Sequence, residues 1–278
     1  MNKKKIIKIL TINLDKGGAE KVVVSKINYF LKKSFICELY LLQNLIRYNL
    51  PKNPNLKIYN YYSSFKNKLT FFRDIFIHIR FLKKTFNSKD IVISHLNRAN
   101  YINILCSMFL TKHKTIVVIH NHPNHYIHSY SFIYSYYKFI VHYIIQVILY
   151  RFADEVVTIS NESKLFYKQY FKLDTNLIYN PIDLNFTKKI NTNYKFDKII
   201  NSRKIFLSVG RLSKRKNQIE ILKTFLFIKK NDKELYNKIS LYIAGDGKKL
   251  NFLKKFVSNY KLEDSVKIVG LINNLAPF

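Results

Sequence analysis

All six glycines of the chain fall in four short stretches that read as strand ends or strand-to-helix turns. Gly17 and Gly18 lie in ILTINLDKGGAEKVV, Gly210 in IFLSVGRLSKRKNQ, Gly245 and Gly247 in LYIAGDGKKL, and Gly270 in VKIVGLINN. Glycine serves where the backbone must turn with positive φ or approach a ligand closely, and it weakens regular elements. Here it stands almost only at the carboxyl ends of apolar strands. In open parallel α/β sheets that edge is where ligands bind. The placement predicts an α/β protein that handles a nucleotide or a phosphate.

The hydrophobic periodicity agrees. KIIKILTINL, FICELYLLQ, DIVISHL, KTIVVIHNH and DEVVTIS read as strands. Between them GAEKVVVSKINYFLKK, LTFFRDIFIHIRFLKKTF, YINILCSMFL, a long aromatic stretch from Ser129, and NESKLFYKQY carry helical spacing. Apolar strands joined by crossover helices give a parallel sheet covered on both faces. From about 177 to 203 the periodicity fades into Asn- and Lys-rich sequence of linker character. The pattern then restarts with KIFLSVG, NQIEILKTFLFIKK, ISLYIAGDG, KLNFLKKFVSNYKL and SVKIVG. Two domains are therefore expected, an amino-terminal one over 1–180 and a carboxyl-terminal one over 203–278. The second holds three strands and reads as incomplete.

Charge enters the argument because the formal net value is +31. Lysine pairs such as Lys32-Lys33, Lys83-Lys84 and Lys229-Lys230 are dispersed along the chain. Abundant Lys, Asn, Ile, Tyr and Phe match an A/T-rich coding bias, which makes the charge a solvated surface. The functional alternative is attraction to a polyanion, an anionic membrane or a phosphorylated substrate rather than nucleic acid. Cys37 and Cys106 give no metal spacing and point to a reducing compartment. The basic, apolar amino terminus reads as a first strand rather than a signal peptide, since Lys8 interrupts it and no small-residue cleavage site follows. The stretch Tyr126 to Arg151 is crowded with Tyr and Phe but broken by Lys138 and by histidines, so it does not read as a membrane span. It reads either as core or as an amphipathic helix at a bilayer surface.

Four groups of residues carry candidate chemistry. Asp15 to Glu20 sets two glycines before a helix, where backbone N–H groups bind phosphate; the alternative is a tight turn without ligand. It is not a GxGxxG dinucleotide fingerprint. Arg211 follows a strand directly and Lys216 stands five residues on, a guanidinium fork and an ammonium suited to a diphosphate. Gly245, Asp246 and Gly247 form a further turn on the same kind of edge. His120 ends TIVVIH and is followed by Asn121, His122 and His125, while His95 and Asn97 end DIVIS. A zinc site is not indicated, because there is no HExxH, no cysteine partner and no nearby carboxylate before Asp154. A histidine at a strand end that hydrogen-bonds a polar ligand fits better.

Together these residues resemble the family 4 retaining glycosyltransferases of the GT-B fold. The resemblance runs through GGAE (Gly17 to Glu20), IHN (ending at His120 and Asn121), ADEVVTIS (Ala153 to Ser160), YNPID (Tyr179 to Asp183), VGRLSKRKNQ (Val209 to Gln218), IAGDG (Ile243 to Gly247) and IVG (Ile268 to Gly270). It implies two Rossmann-like domains with mainly parallel sheets holding a nucleotide-diphosphate sugar in a cleft. It further implies donor binding by Gly17, Gly18, Arg211, Lys216, Gly245, Asp246 and Gly247. His120 would be the catalytic contact to the transferred sugar, with His95, Asn97 and Asn121 on the acceptor side. No metal and no cofactor is implied beyond the donor substrate.

The family's Glu-x7-Glu motif has no counterpart. Glu155 and Glu162 are one residue too close, and Glu263 is the only glutamate after Gly247. The expectation is a second domain cut short at the carboxyl terminus and little transferase activity in the chain as it stands. The implied function is transfer of a sugar, with retention, from a nucleotide-diphosphate donor to a surface polysaccharide or lipid-linked glycan. The implied location is the cytoplasm, at the inner face of the cytoplasmic membrane. The alternative is an inactive remnant or a non-catalytic protein that binds an anionic ligand.

Overall fold

The computed structural model describes residues 5–15, 17–60, 71–121, 132–182 and 203–272, with the helical backbone alone over 71–76 and 132–139. His122, His125, His128, Asp183 and the start of the aromatic stretch at Ser129 lie outside the described residues. The chain divides into two compact units that part at Pro181 and Ile182.

The first unit is a seven-stranded sheet. Its strands are β1 (Ile6–Thr11), β2 (Ile36–Leu41), β3 (Leu56–Asn60), β4 (Ile91–His95), β5 (Lys114–Ile119), β6 (Glu155–Thr158) and β7 (Asn176–Leu177). They run in the order β3-β2-β1-β4-β5-β6-β7, every pair parallel. The order reverses between β1 and β4, which opens a crevice at their carboxyl ends as in doubly wound folds. Helices α1 (Gly18–Lys32), α2 (Phe71–Lys83), α3 (Asn97–Cys106), α4 (Phe132–Leu149) and α5 (Asn161–Phe171) connect the strands.

Strand alternation sorts the core. Ile7 and Ile9 of β1, Ile93 of β4, Val118 of β5 and Val157 of β6 pack with Val23, Ile27 and Leu31 of α1. Leu10 and Val92 point to the opposite face and meet Leu82, Phe86, Ala99 and Ile102 from α2, α3 and the segment after α2. A buried Ile or Leu contributes about 1.5–3 kcal/mol, so this two-faced burial fixes the register of each central strand. Lys8 on β1 is itself buried: its Nζ lies 2.8 Å from Asp90 and 3.6 Å from Glu38, and donates to the Thr85 carbonyl at 2.6 Å. The lysine that breaks the apolar run is thus held by two carboxylates at one core edge.

The second unit has three parallel strands, β8 (Lys204–Val209), β9 (Ile239–Ala244) and β10 (Val266–Gly270), in the order β10-β9-β8. Helices α6 (Gln218–Asn231), α7 (Lys233–Lys238) and α8 (Leu250–Asn259) accompany them. Leu222, Phe225, Leu253 and Val257 bury against Ile239, Leu241 and Ile243 of the central strand. β8 forms one edge, with Ile205, Phe206, Leu207 and Val209 exposed.

Three elements differ from the sequence expectation. β3 is an added edge strand whose residues are half-buried or exposed, so it shows no apolar run. β7 opens what reads as linker; two residues pair with β6, and Ile178 donates to the Thr158 carbonyl at 3.0 Å. α7 is a single short helix inserted before β9, started by the Asp232 carboxylate accepting from the Leu235 amide at 2.8 Å.

Candidate active site

The carboxyl edge of the first sheet collects Gly17 and Gly18, His95 and Asn97, and His120 and Asn121. Gly17 is the amino-terminal cap of α1 in extended conformation (φ −138°, ψ 164°). Its carbonyl accepts from the Tyr48 hydroxyl at 2.8 Å and opens the helical ladder by accepting from the Lys21 amide at 3.1 Å. The Glu20 carboxylate fills the space a side chain at Gly17 would need, whereas nothing stands within 4 Å of such a position at Gly18. Gly18 thus leaves the first turn of α1 open on its side, while the Glu20 carboxylate occupies the side of Gly17.

His95 closes β4 and is fully buried. Its Nδ1 lies 2.8 Å from Nε2 of His120, just past β5, and the two rings stack with centroids 5.1 Å apart. The register explains the meeting: His95 sits opposite Val118, so the residue two beyond Val118 on the same face is His120. Burial drives the His95 ring well below the ordinary histidine pKa, helped by Lys26 and by His120. Burial, with Lys26 again, pulls His120 down to about 4. Both rings are neutral at physiological pH and serve as hydrogen-bonding groups.

Leu96, between His95 and Asn97, is held at φ 74° and ψ 144°. For a branched residue that region costs about 1–3 kcal/mol, and such strain gathers at functional edges. It turns the chain straight from β4 into α3, whose first residue is Asn97. Asn97 is buried and its Oδ1 accepts from the Tyr150 hydroxyl at 3.3 Å, so it braces α3 against the segment after α4. Asn121 is half-buried beside His120.

Lys26 and Thr11 were not evident from the sequence. Burial lowers the Lys26 ammonium from 10.5 to about 8. A signal existed, since Lys26 falls three and four residues after Val23 and Val22 on the side of α1 that packs on the sheet. Thr11 ends β1, next in register to His95, and its hydroxyl is buried without a partner among the described residues. The ADEVVTIS motif has structural work: Asp154 Oδ2 accepts from the Thr115 amide at 2.7 Å and its hydroxyl at 2.9 Å, joining β5 to β6. Ser160 caps α5 by accepting from the Ser163 amide at 3.2 Å.

The carboxyl edge of the second sheet carries Gly210, Arg211, Lys216, Gly245, Asp246 and Gly247. Arg211 is exposed in the loop after β8, its carbonyl accepting from Gln218 Nε2 at 3.2 Å. Lys216 lies in the turn Lys214–Lys216 before α6 rather than on that helix. Its Cε stands 3.8 Å from where a Gly210 side chain would begin, so the lysine stem runs back beside the strand end. Gly245 is at φ 146°, and a side chain there would strike the Gly210 carbonyl; one at Gly247 would strike the Leu212 carbonyl. The Leu212 amide donates to the Asp246 carbonyl at 2.9 Å, tying this turn to the Arg211 loop. These glycines let two backbone segments touch, and Asp246 is exposed, accepting from the Gly247 amide at 2.7 Å.

With this geometry in view, the comparisons with known proteins identify the class. Residues 190–276 match the family described as Glycosyl transferases group 1. A Campylobacter jejuni N-acetylgalactosamine-N,N'-diacetylbacillosaminyl-diphospho-undecaprenol 4-alpha-N-acetylgalactosaminyltransferase is 26% identical over 271 residues, 96% of this chain and 69% of that protein. A second enzyme of that organism, a GalNAc-alpha-(1->4)-GalNAc-alpha-(1->3)-diNAcBac-PP-undecaprenol alpha-1,4-N-acetyl-D-galactosaminyltransferase, is 24% identical over 97% of this chain and 68% of its own length. Among solved structures, Anabaena HepE in complex with UDP aligns with a TM-score of 0.65 at 16% identity, covering 98% of this chain and 70% of HepE. WaaG, a glycosyltransferase involved in lipopolysaccharide biosynthesis, aligns at 0.68 and 8% identity, over 97% of this chain and 71% of its own. Residues 190–276 thus match the group 1 glycosyl transferase family, and the fold is GT-B. The chain is a glycosyltransferase that spans about 68–69% of the length of these two curated relatives.

Proposed function

We propose that this glycosyltransferase moves a sugar, with retention, from a nucleoside-diphosphate donor to a glycan carried on a lipid diphosphate. The observation that carries the reading is the neutral His95–His120 pair at the carboxyl edge of the first sheet. It offers a water-poor hydrogen-bonding group at the place where doubly wound sheets bind ligand. The relatives that match nearly the whole chain act, by their names, on diphospho-undecaprenol glycans. HepE was solved with UDP and with UDP and glucose.

In the reaction the acceptor hydroxyl oxygen bonds to the anomeric carbon while the bond from that carbon to the donor phosphate breaks. The acceptor's proton leaves with the nucleoside diphosphate. Negative charge grows on the departing phosphate, and Arg211 and Lys216 would stabilise it through charge-assisted hydrogen bonds. His120 would hold a hydroxyl of the moving sugar as a neutral partner. Gly18, with open space at its missing side chain, would let donor or acceptor approach the first turn of α1. The aromatic helix α4 would bring the site to the bilayer that carries such acceptors.

The donor half of the reading is tested by titrating the protein with UDP and GDP. Arg211→Ala and Lys216→Ala should each weaken binding of the preferred diphosphate by about 1.5–3 kcal/mol. Unchanged affinity in both variants would remove these residues from the site.

A further inference from the structure

The hydrogen bond between the two site histidines has a direction that the burial of His95 decides. His95 Nδ1 and His120 Nε2 are 2.8 Å apart, and two neutral rings share one proton across that gap. Whichever ring donates there leaves its other nitrogen bare, and the accepting ring must carry its proton on the far side. The far nitrogen of His95, Nε2, is buried and has no hydrogen-bond partner among the described residues. The Thr11 hydroxyl also lacks a partner among the described residues, so it does not take a proton from His95. Were His120 the donor, His95 would keep an N–H inside the protein with no acceptor, the rarer kind of orphan. With His95 as donor, only a lone pair goes unmatched.

His113 supplies the contrast within the same unit. It too is buried and neutral, but its Nε2 meets Asn103 Oδ1 at 2.8 Å and its Nδ1 meets the Thr111 hydroxyl at 2.6 Å. A histidine kept for packing has both nitrogens answered here. His95 has only one, and that one is spent on His120.

We propose that His95 is a positioning residue: its Nδ1–H donates to His120 Nε2 and fixes His120 as the tautomer protonated on Nδ1. His120 then offers a donor rather than an acceptor at its remaining nitrogen, which has no partner among the described residues. The matching ligand atom is a hydroxyl or ring oxygen of the sugar that can accept. This assignment rests on the proposed role of His120 and adds the direction of its hydrogen bond.

Selective 15N-histidine labelling of the protein and long-range 1H–15N correlation spectra report which ring nitrogen holds the proton. Across about pH 5.5 to 8 His120 should appear neutral and protonated on Nδ1. His95→Leu keeps bulk but removes the donor, and should populate the Nε2-protonated form and weaken UDP-sugar binding about tenfold with UDP itself unaffected. His95→Asn places an amide donor near the lost Nδ1 and should restore both the tautomer and the affinity. A wild-type His120 protonated on Nε2, or a His95→Leu spectrum identical to wild type in a protein that still melts cooperatively, overturns the proposal. If instead the Nδ1 tautomer is seen while His120→Ala binds UDP-sugar and UDP as wild type does, the pairing stands and the sugar role of His120 falls.

Discussion

His95, His113 and His120 are three imidazoles that folding removes from water, and each is held below its ordinary pKa mainly by burial. For His113 and His120 the folded value is about 4 against 6.5. The unfolded chain therefore binds more protons than the folded one between about pH 4 and 6.5, and stability must rise with pH through that window. The contribution is fully present above the unfolded value and is lost as pH falls toward the folded one. Urea unfolding at pH 7 and at pH 5 should show uptake approaching three protons on unfolding. Equal stability at the two values would show that these rings are not buried neutral. Lys26 has the same sign at higher pH: burial lowers it to about 8, so it opposes folding below that value.

At the scale of elements, α4 and the turn after it carry an apolar stripe. Ile140, Ile144, Ile148 and Phe152 recur every four residues and are exposed, Ile144 and Ile148 at 51% and 53%. Arg151 lies exposed beside the stripe. No helix among the described residues is long and apolar enough to cross a membrane. A helix with an apolar face on a strongly basic protein fits the plane of an anionic bilayer surface. Flotation should recover the protein with vesicles containing anionic lipid at low salt and lose it at high salt. An Ile144→Asp/Ile148→Asp variant should stay unbound. Equal recovery from neutral and anionic vesicles would leave coding bias as the account of the charge. The sequence showed the aromatic crowding of this segment but not which residues face outward, because nearly every position is apolar and the periodicity is blurred. It missed β3, β7 and α7 for a related reason. Edge strands and one-turn helices bury little, so tertiary pairing rather than apolar pattern makes them.

For the molecule as a whole, the alternation of apolar runs and helical spacing was enough to read two parallel-sheet units. The central strands are buried on both faces and read as mainly apolar runs, that of β1 broken only at Lys8. Strand order was not legible, and it is the order that makes the site. Only because β4 returns beside β1 and β5 beside β4 do His95 and His120, twenty-five residues apart, share one hydrogen bond. Lys26 escaped notice because its value depends on burial against that edge. The glycines of the second unit were legible as turns, and the structure adds that Gly245 and Gly247 allow backbone contact with Gly210 and Leu212.

The central claim is sugar transfer with retention through His120. Its most direct test is to incubate the protein with labelled UDP-hexoses and a diphospho-undecaprenol glycan, and to read the anomeric configuration of the product. Acceptor-dependent formation of a product that keeps the donor's α configuration is expected, falling about 100-fold or more in His120→Ala. A β-linked product, or transfer that His120→Ala leaves undiminished, would contradict it.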